Sequence, residues 1–199
     1  MSQGTGAESS RLRWLLHRLE ERWVAEGAGI AAALRPPVTE EQLRQAEAEI
    51  GARLPEEVRV WFGWHDGVDE SAGVQTSLPF LRELVSLDLA LDLRWEFLSD
   101  APRPEYTYRS AWLPFASAGP SNAFVVDCSG GTAALTPIHI VDFWTDEPWD
   151  IIRTPSLTAV VEMWWQLTEQ GIYRWNPQAG GWENNDRQIP EEFDQTGLV

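Results

Sequence analysis

Residues 36–67 read PPVTEEQLRQAEAEIGARLPEEVRVWFGWHDG, and the punctuation of this stretch predicts two short helices joined by a tight turn. Pro36-Pro37 stop any preceding helix and hold the approach extended. Thr39 stands at an N-cap position, and Gln42, three residues on, completes a capping box. Leu43, Ala46 and Ile50 then recur at helical spacing, with Gly51 where a left-handed C′ residue belongs. Leu54-Pro55-Glu56-Glu57 opens the next helix, with proline at its first position and acids in the turn where the helix dipole favours them. Val58, Trp61 and Phe62 follow, and His65-Asp66-Gly67 ends the run.

Working outward, Leu12, Leu15, Leu16, Leu19 and Trp23 predict an amphipathic helix from Ser10 to Gly27 or Gly29, after an unstructured start over 1–9. Toward the C-terminus, residues 68–80 read as loop with at most one short strand. Ser86 caps a helix through Trp95 with Leu87, Ala90, Leu91 and Trp95 inward, and a polar, proline-rich loop spans Ser99 to Ser110. The pattern then becomes strand-like at Trp112–Phe115, Phe124–Asp127 and Ile138–Val141, with Ser129-Gly130-Gly131 as a turn. A further strand pair is expected between Trp144 and Ile152. A helix over Ser156 to Gln170 follows, then a hairpin carrying Tyr173, Trp175 and Trp182, then an acidic, mobile end from Asn184. Helices, then antiparallel strands, then a closing helix make an α+β single domain, mainly antiparallel sheet flanked by helices.

Composition narrows the function. The chain has 199 residues, enough for one domain, and its 43% hydrophobic and 23% charged residues exclude a mainly disordered state. The lone Cys128 excludes an internal disulfide and a cysteine-based zinc site. All 15 basic residues are arginine, so neither Schiff-base nor P-loop lysine chemistry is available. The net charge is −16, with −2 carried by residues 1–60 and −14 by residues 61–199. Nucleic acid and anionic membranes are therefore excluded as direct partners, while a basic partner would be steered to the second part. No apolar run spans a membrane and Met1 to Ser10 has no signal-peptide pattern, which makes a cytoplasmic location the expectation.

Catalytic chemistry finds no foothold. His17, His65 and His139 share no metal-ligand spacing, so no metal and no cofactor is expected. His65-Asp66 reads as a helix stop, His139 as a strand residue, and Cys128 as a buried thiol with no base near it in sequence. Two loops interleave tryptophan with acids: Trp64, Asp66, Asp69 and Glu70, and then Asp142, Trp144, Asp146, Glu147, Trp149 and Asp150. Such loops suit a basic protein partner through aromatic anchors and carboxylate–arginine pairs. They are equally the composition of tryptophans packed on a sheet edge, or of a stacking platform for a sugar ring. Twelve tryptophans, far above ordinary usage, fit cores and interfaces alike.

The same opening stretch resembles the N-terminal signature of the SUKH superfamily, the Smi/Knr-type cell-wall-assembly regulators. The matching residues are Thr39, Glu40, Glu41, Glu47, Gly51, Leu54, Pro55, Trp61, Asp66 and Gly67. The resemblance continues weakly through Phe80–Leu93, Trp112–Phe115, Val125–Asp127 and Ser156-Leu157, and departs at 118–122, where the family often has a glycine-rich stretch. It implies a SUKH-like domain over 36–172, flanked by an N-terminal helical extension at 10–35 and a hairpin with acidic tail at 173–199. It also implies a non-catalytic binding role. Bacterial members resemble immunity proteins that neutralise polymorphic toxins, often nucleases or deaminases; fungal relatives resemble regulatory scaffolds. The expected partner is a basic toxin domain, met by the acidic surface, with an endogenous protein as the alternative.

Overall fold

The computed structural model describes residues 3–99, 108–132, 135–145 and 147–199, with only the backbone of residues 3–5. In chain order its helices and strands are α1 (Gln3–Glu26), α2 (Gly29–Ala33), α3 (Glu40–Ile50), α4 (Glu56–Trp64), β1 (Glu83–Leu84), α5 (Leu87–Ser99), β2 (Trp112–Ser117), β3 (Asn122–Asp127), β4 (Ile138–Asp142), α6 (Leu157–Glu169), β5 (Tyr173–Asn176), β6 (Gly181–Asn184) and α7 (Glu191–Asp194). The α+β class holds: one antiparallel sheet in the order β1-β2-β3-β4, a separate β5-β6 hairpin, and helices around them.

The opening hairpin forms as its punctuation predicts. The Thr39 hydroxyl accepts from the Gln42 N–H, and the Gln42 side chain accepts from the Thr39 N–H at 2.8 Å. Gly51 closes α3 at φ +75°, a conformation that costs glycine nothing. Glu47 explains why a glutamate sits ahead of Leu-Pro. One of its oxygens accepts from the Leu54 N–H at 3.1 Å and from Arg59 at 2.9 Å, so it fastens the turn between α3 and α4. Pro55 takes the N-cap position and α4 begins at Glu56.

The sheet is covered on both sides, which is why every residue of β2 is buried. On one side Phe115 meets Trp61 of α4 and Trp164 of α6, and Phe124 meets Phe80, with ring centroids 5.3–6.4 Å apart. On the other, Trp112 stacks on His139 at 4.3 Å and meets Tyr108, which packs on Phe97 of α5. Helix α1 lies over α4 and α6. Its Leu12, Leu15, Leu16, Leu19 and Trp23 are all buried, each burial contributing about 2 kcal/mol. Glu57 joins α4 to α6: its buried carboxylate accepts from the Thr158 N–H at 3.0 Å and from the Thr158 and Thr136 hydroxyls. The negative charge thus sits at the N-terminus of α6, the end the helix dipole favours.

Five local expectations are corrected. Helix α1 starts at Gln3 rather than Ser10, because its first turns lie against α6: Ser9 is buried and the Glu8 carbonyl accepts from Thr158. The short strand is β1 at Glu83–Leu84, beyond 68–80. Helix α5 buries Leu93, Arg94 and Phe97 while Trp95 is 67% exposed. Arg94 goes inward because its guanidinium donates twice to the Ser110 carbonyl, at 2.8 and 2.7 Å. No strand pair forms between 144 and 152 among the described residues; the chain there is turns and bends. The end after Asn184 is packed rather than loose: Leu198 is fully buried and its carbonyl accepts from the Trp164 indole at 3.0 Å. Most of the loop expected over 99–110 lies outside the described residues.

Candidate functional site

The two acidic tryptophan loops leave the fold at opposite edges of the sheet. The first follows α4. Trp64 is buried, its indole donates to Glu20 of α1 at 2.8 Å, and its ring packs on Trp23 and Trp61. Asp66 is also buried. One oxygen accepts from the Leu87 N–H at 2.7 Å, satisfying an orphan donor at the start of α5, and the other lies 3.7 Å from Arg35. Gly67 (φ +69°) follows because a Cβ there would stand 2.5 Å from the Ser86 nitrogen. The Asp-Gly pair is therefore a joint between α4 and α5. Asp69 and Glu70 remain exposed. The hydroxyl and N–H of Ser71 donate to Asp69 and hold its carboxyl below the ordinary aspartate range, the hydroxyl contributing most.

The second loop follows β4 and has the opposite arrangement. Asp142 organises it: one carboxylate oxygen accepts from the Trp144 N–H at 2.8 Å, the other from Asn122 at 2.9 Å, and its carbonyl from the Trp149 indole at 3.1 Å. Trp149 is buried against Phe143. Trp144 is 84% exposed, the most exposed of the large apolar side chains described, with its indole donating to Ser121 at 3.1 Å. Glu147, Asp150, Ile151 and Ile152 of the same segment are exposed, and Glu147 pairs with Arg153. Asp146 lies outside the described residues.

Strands β2 and β3 separate β1, against which the first loop packs, from β4. At about 4.8 Å per strand, the two edges are roughly 14 Å apart. The nine described candidate residues are thus not drawn into one patch. The second loop offers a tryptophan-centred, acid-rimmed surface; of the first, only Asp69 and Glu70 face outward.

Cys128 is fully buried and its thiol is pushed up to about 12 by desolvation, the nearby Asp127 charge adding to it. His139 is held below the ordinary histidine range, chiefly by desolvation, and its Nδ1–H donates to the Ile151 carbonyl at 3.0 Å. His17 and His65 flank Glu20 at 3.8 and 3.5 Å in a cleft of about 670 Å³ between α1 and α4. His65 also donates through Nδ1 to the Arg35 carbonyl at 2.6 Å, which helps bind the helix layer together. Among the described residues no group of three ligating side chains could hold a metal ion.

Sequence reasoning missed the buried work of Glu57 and the outward face of α5. Glu57 carried a signal only as a first-turn acid, indistinguishable from its neighbour Glu56. For Trp95, the alternative stripe through Leu93 and Phe97 was legible in the helical spacing.

A comparison with family models matches residues 37–159 to the family described as SMI1 / KNR4 family (SUKH-1). No curated protein matches the chain.

Proposed function

The chain belongs to the SMI1/KNR4 (SUKH-1) family, and from that membership we propose that it is a non-catalytic, cytoplasmic immunity protein. It would neutralise a cognate polymorphic toxin by occluding it. The observation that carries this reading is Trp144, 84% exposed yet held by the Asp142 clasp and the Ser121 hydroxyl. Large exposed aromatics on an ordered loop are the usual anchors of protein interfaces, because they bury much area at little entropic cost. Glu147 and Asp150 on the rim favour a basic partner, such as a toxin domain whose active site accepts nucleic acid. The non-catalytic reading is supported by the burial of Cys128 and His139, which pushes the thiol up and the imidazole down.

The test is co-expression with the toxin encoded beside its gene, with growth as the readout. Wild-type chain should restore growth and form a one-to-one complex whose association slows as salt rises. The Trp144→Ala variant should fold normally and fail to protect. Growth arrest despite abundant wild-type chain would sink the immunity reading and leave regulation of an endogenous protein as its successor.

A further inference from the structure

Between α5 and the edge strand β1 runs a groove of about 310 Å³ that shares only Glu70 with the two candidate loops. Leu84, Leu89 and Leu93 give it an apolar floor, and Leu89 keeps 36% of its surface exposed. Glu70, Glu83 and Glu96 stand around that floor, and no arginine lines the groove among the described residues. The three carboxylates come from different elements: the turn after Gly67, strand β1 and helix α5. Like charges gathered over an apolar surface repel one another, and a bound cation relieves that repulsion. An anionic occupant would meet all three.

We propose that this groove takes a basic segment of a protein partner. An apolar side chain rests on Leu89 and Leu93, while flanking arginine or lysine side chains meet Glu70 and Glu96. Side chains rather than main chain make the recognition, because the Leu84 carbonyl already accepts from the Val68 N–H. Glu83 is the least adaptable of the three, since its carboxylate already accepts from the Thr76 hydroxyl. The proposal rests on the protein-binding reading only for the class of its occupant.

The experiment uses the full chain and the fluorescent peptide Arg-Leu-Arg-Leu-Arg, with Arg-Ser-Arg-Ser-Arg and Glu-Leu-Glu-Leu-Glu as comparisons. Fluorescence anisotropy should show the first peptide binding more tightly than either comparison. The double variant Glu70→Gln/Glu96→Gln should weaken that binding roughly threefold to thirtyfold, as expected for two partly exposed ion pairs. Glu169→Gln, which removes an exposed carboxylate at the end of α6 that does not line the groove, should leave it unchanged. Equal binding to wild type and the double variant overturns the proposal. So does equal preference for the serine peptide, or an equal loss of binding in Glu169→Gln. Because the readout is peptide affinity rather than growth, failure here leaves the toxin test untouched, and failure there leaves this one untouched.

Discussion

The segments 64–70 and 142–150 are close to interchangeable in composition, and the fold uses them in opposite ways. In the first, Trp64 and Asp66 are turned inward to join α1, α4 and α5. In the second, Asp142 folds back on its own loop and leaves Trp144 in solvent. The difference is in their neighbours. The first loop emerges between two helices that each present an unsatisfied group, the Glu20 carboxylate and the Leu87 N–H. The second leaves an edge strand and is held by its own Asp142 and by Ser121 and Asn122 where β3 begins, contacts that leave the Trp144 ring uncovered. An acidic tryptophan motif therefore becomes a surface only where no adjoining element requires its side chains.

The largest expected effect separates the two tryptophans. Trp64→Ala should cost about 3–5 kcal/mol of stability in urea denaturation, the range for truncating a buried aromatic. Trp144→Ala should stay within about 0.5 kcal/mol, as exposed substitutions do. A large loss in Trp144→Ala would break the comparison, because it would make Trp144 a packing residue as well.

Binding reverses that order. By calorimetry with the toxin partner proposed above, Trp144→Ala should lose about 2–4 kcal/mol of affinity, the scale of an interface hot spot. The aspartates provide the next contrast. Asp66→Ala strands the Leu87 N–H and should cost about 1–2 kcal/mol of stability, whereas Asp150→Ala should leave the unfolding midpoint unchanged. Equal midpoints for both would mean that water replaces the Asp66 cap at no cost.

The smallest effect concerns the exit of the second loop, where His139 holds the Ile151 carbonyl. Desolvation lowers its native pKa below the ordinary value of 6.5, so below that pH the unfolded chain takes up a proton that the native chain refuses. Its contribution is therefore fully present above about pH 6.5 and fades as the pH falls toward the native value. Denaturation at pH 7.5 and 5.5 should show that loss in wild type and a smaller one in His139→Phe, which keeps a ring against Trp112. An identical pH dependence in the two proteins would remove His139 from this role.

Much of the fold was legible because its signals are local. The capping box at Thr39 and Gln42, the left-handed Gly51 and the Ser156 cap act within a few residues and need no partner. The runs in β2, β3 and β4 were readable because a sheet covered on both faces demands near-continuous apolar sequence. Trp95 was misread because one helix offers two overlapping stripes, and only packing against the sheet selects between them. The expected strand pair at 144–152 failed because Asp142 and the Trp149 indole draw the backbone into turns instead of a ladder. The end after Asn184 looked like a tail because its anchor is the carbonyl of Leu198, which has no side-chain signature.

By itself the sequence determined the helix hairpin at 39–64 and the α+β class, from short-range chemistry and periodicity, and it carried the resemblance to the family that the comparison then showed. It also determined the sign of the surface, since charge is a matter of counting. Only the tertiary structure decided which tryptophans and carboxylates meet solvent. Exposure depends on what arrives from elsewhere in the chain: Glu20 reaches Trp64 from 44 residues away within a buried helix layer, whereas Ser121 reaches the Trp144 indole and leaves its ring 84% exposed.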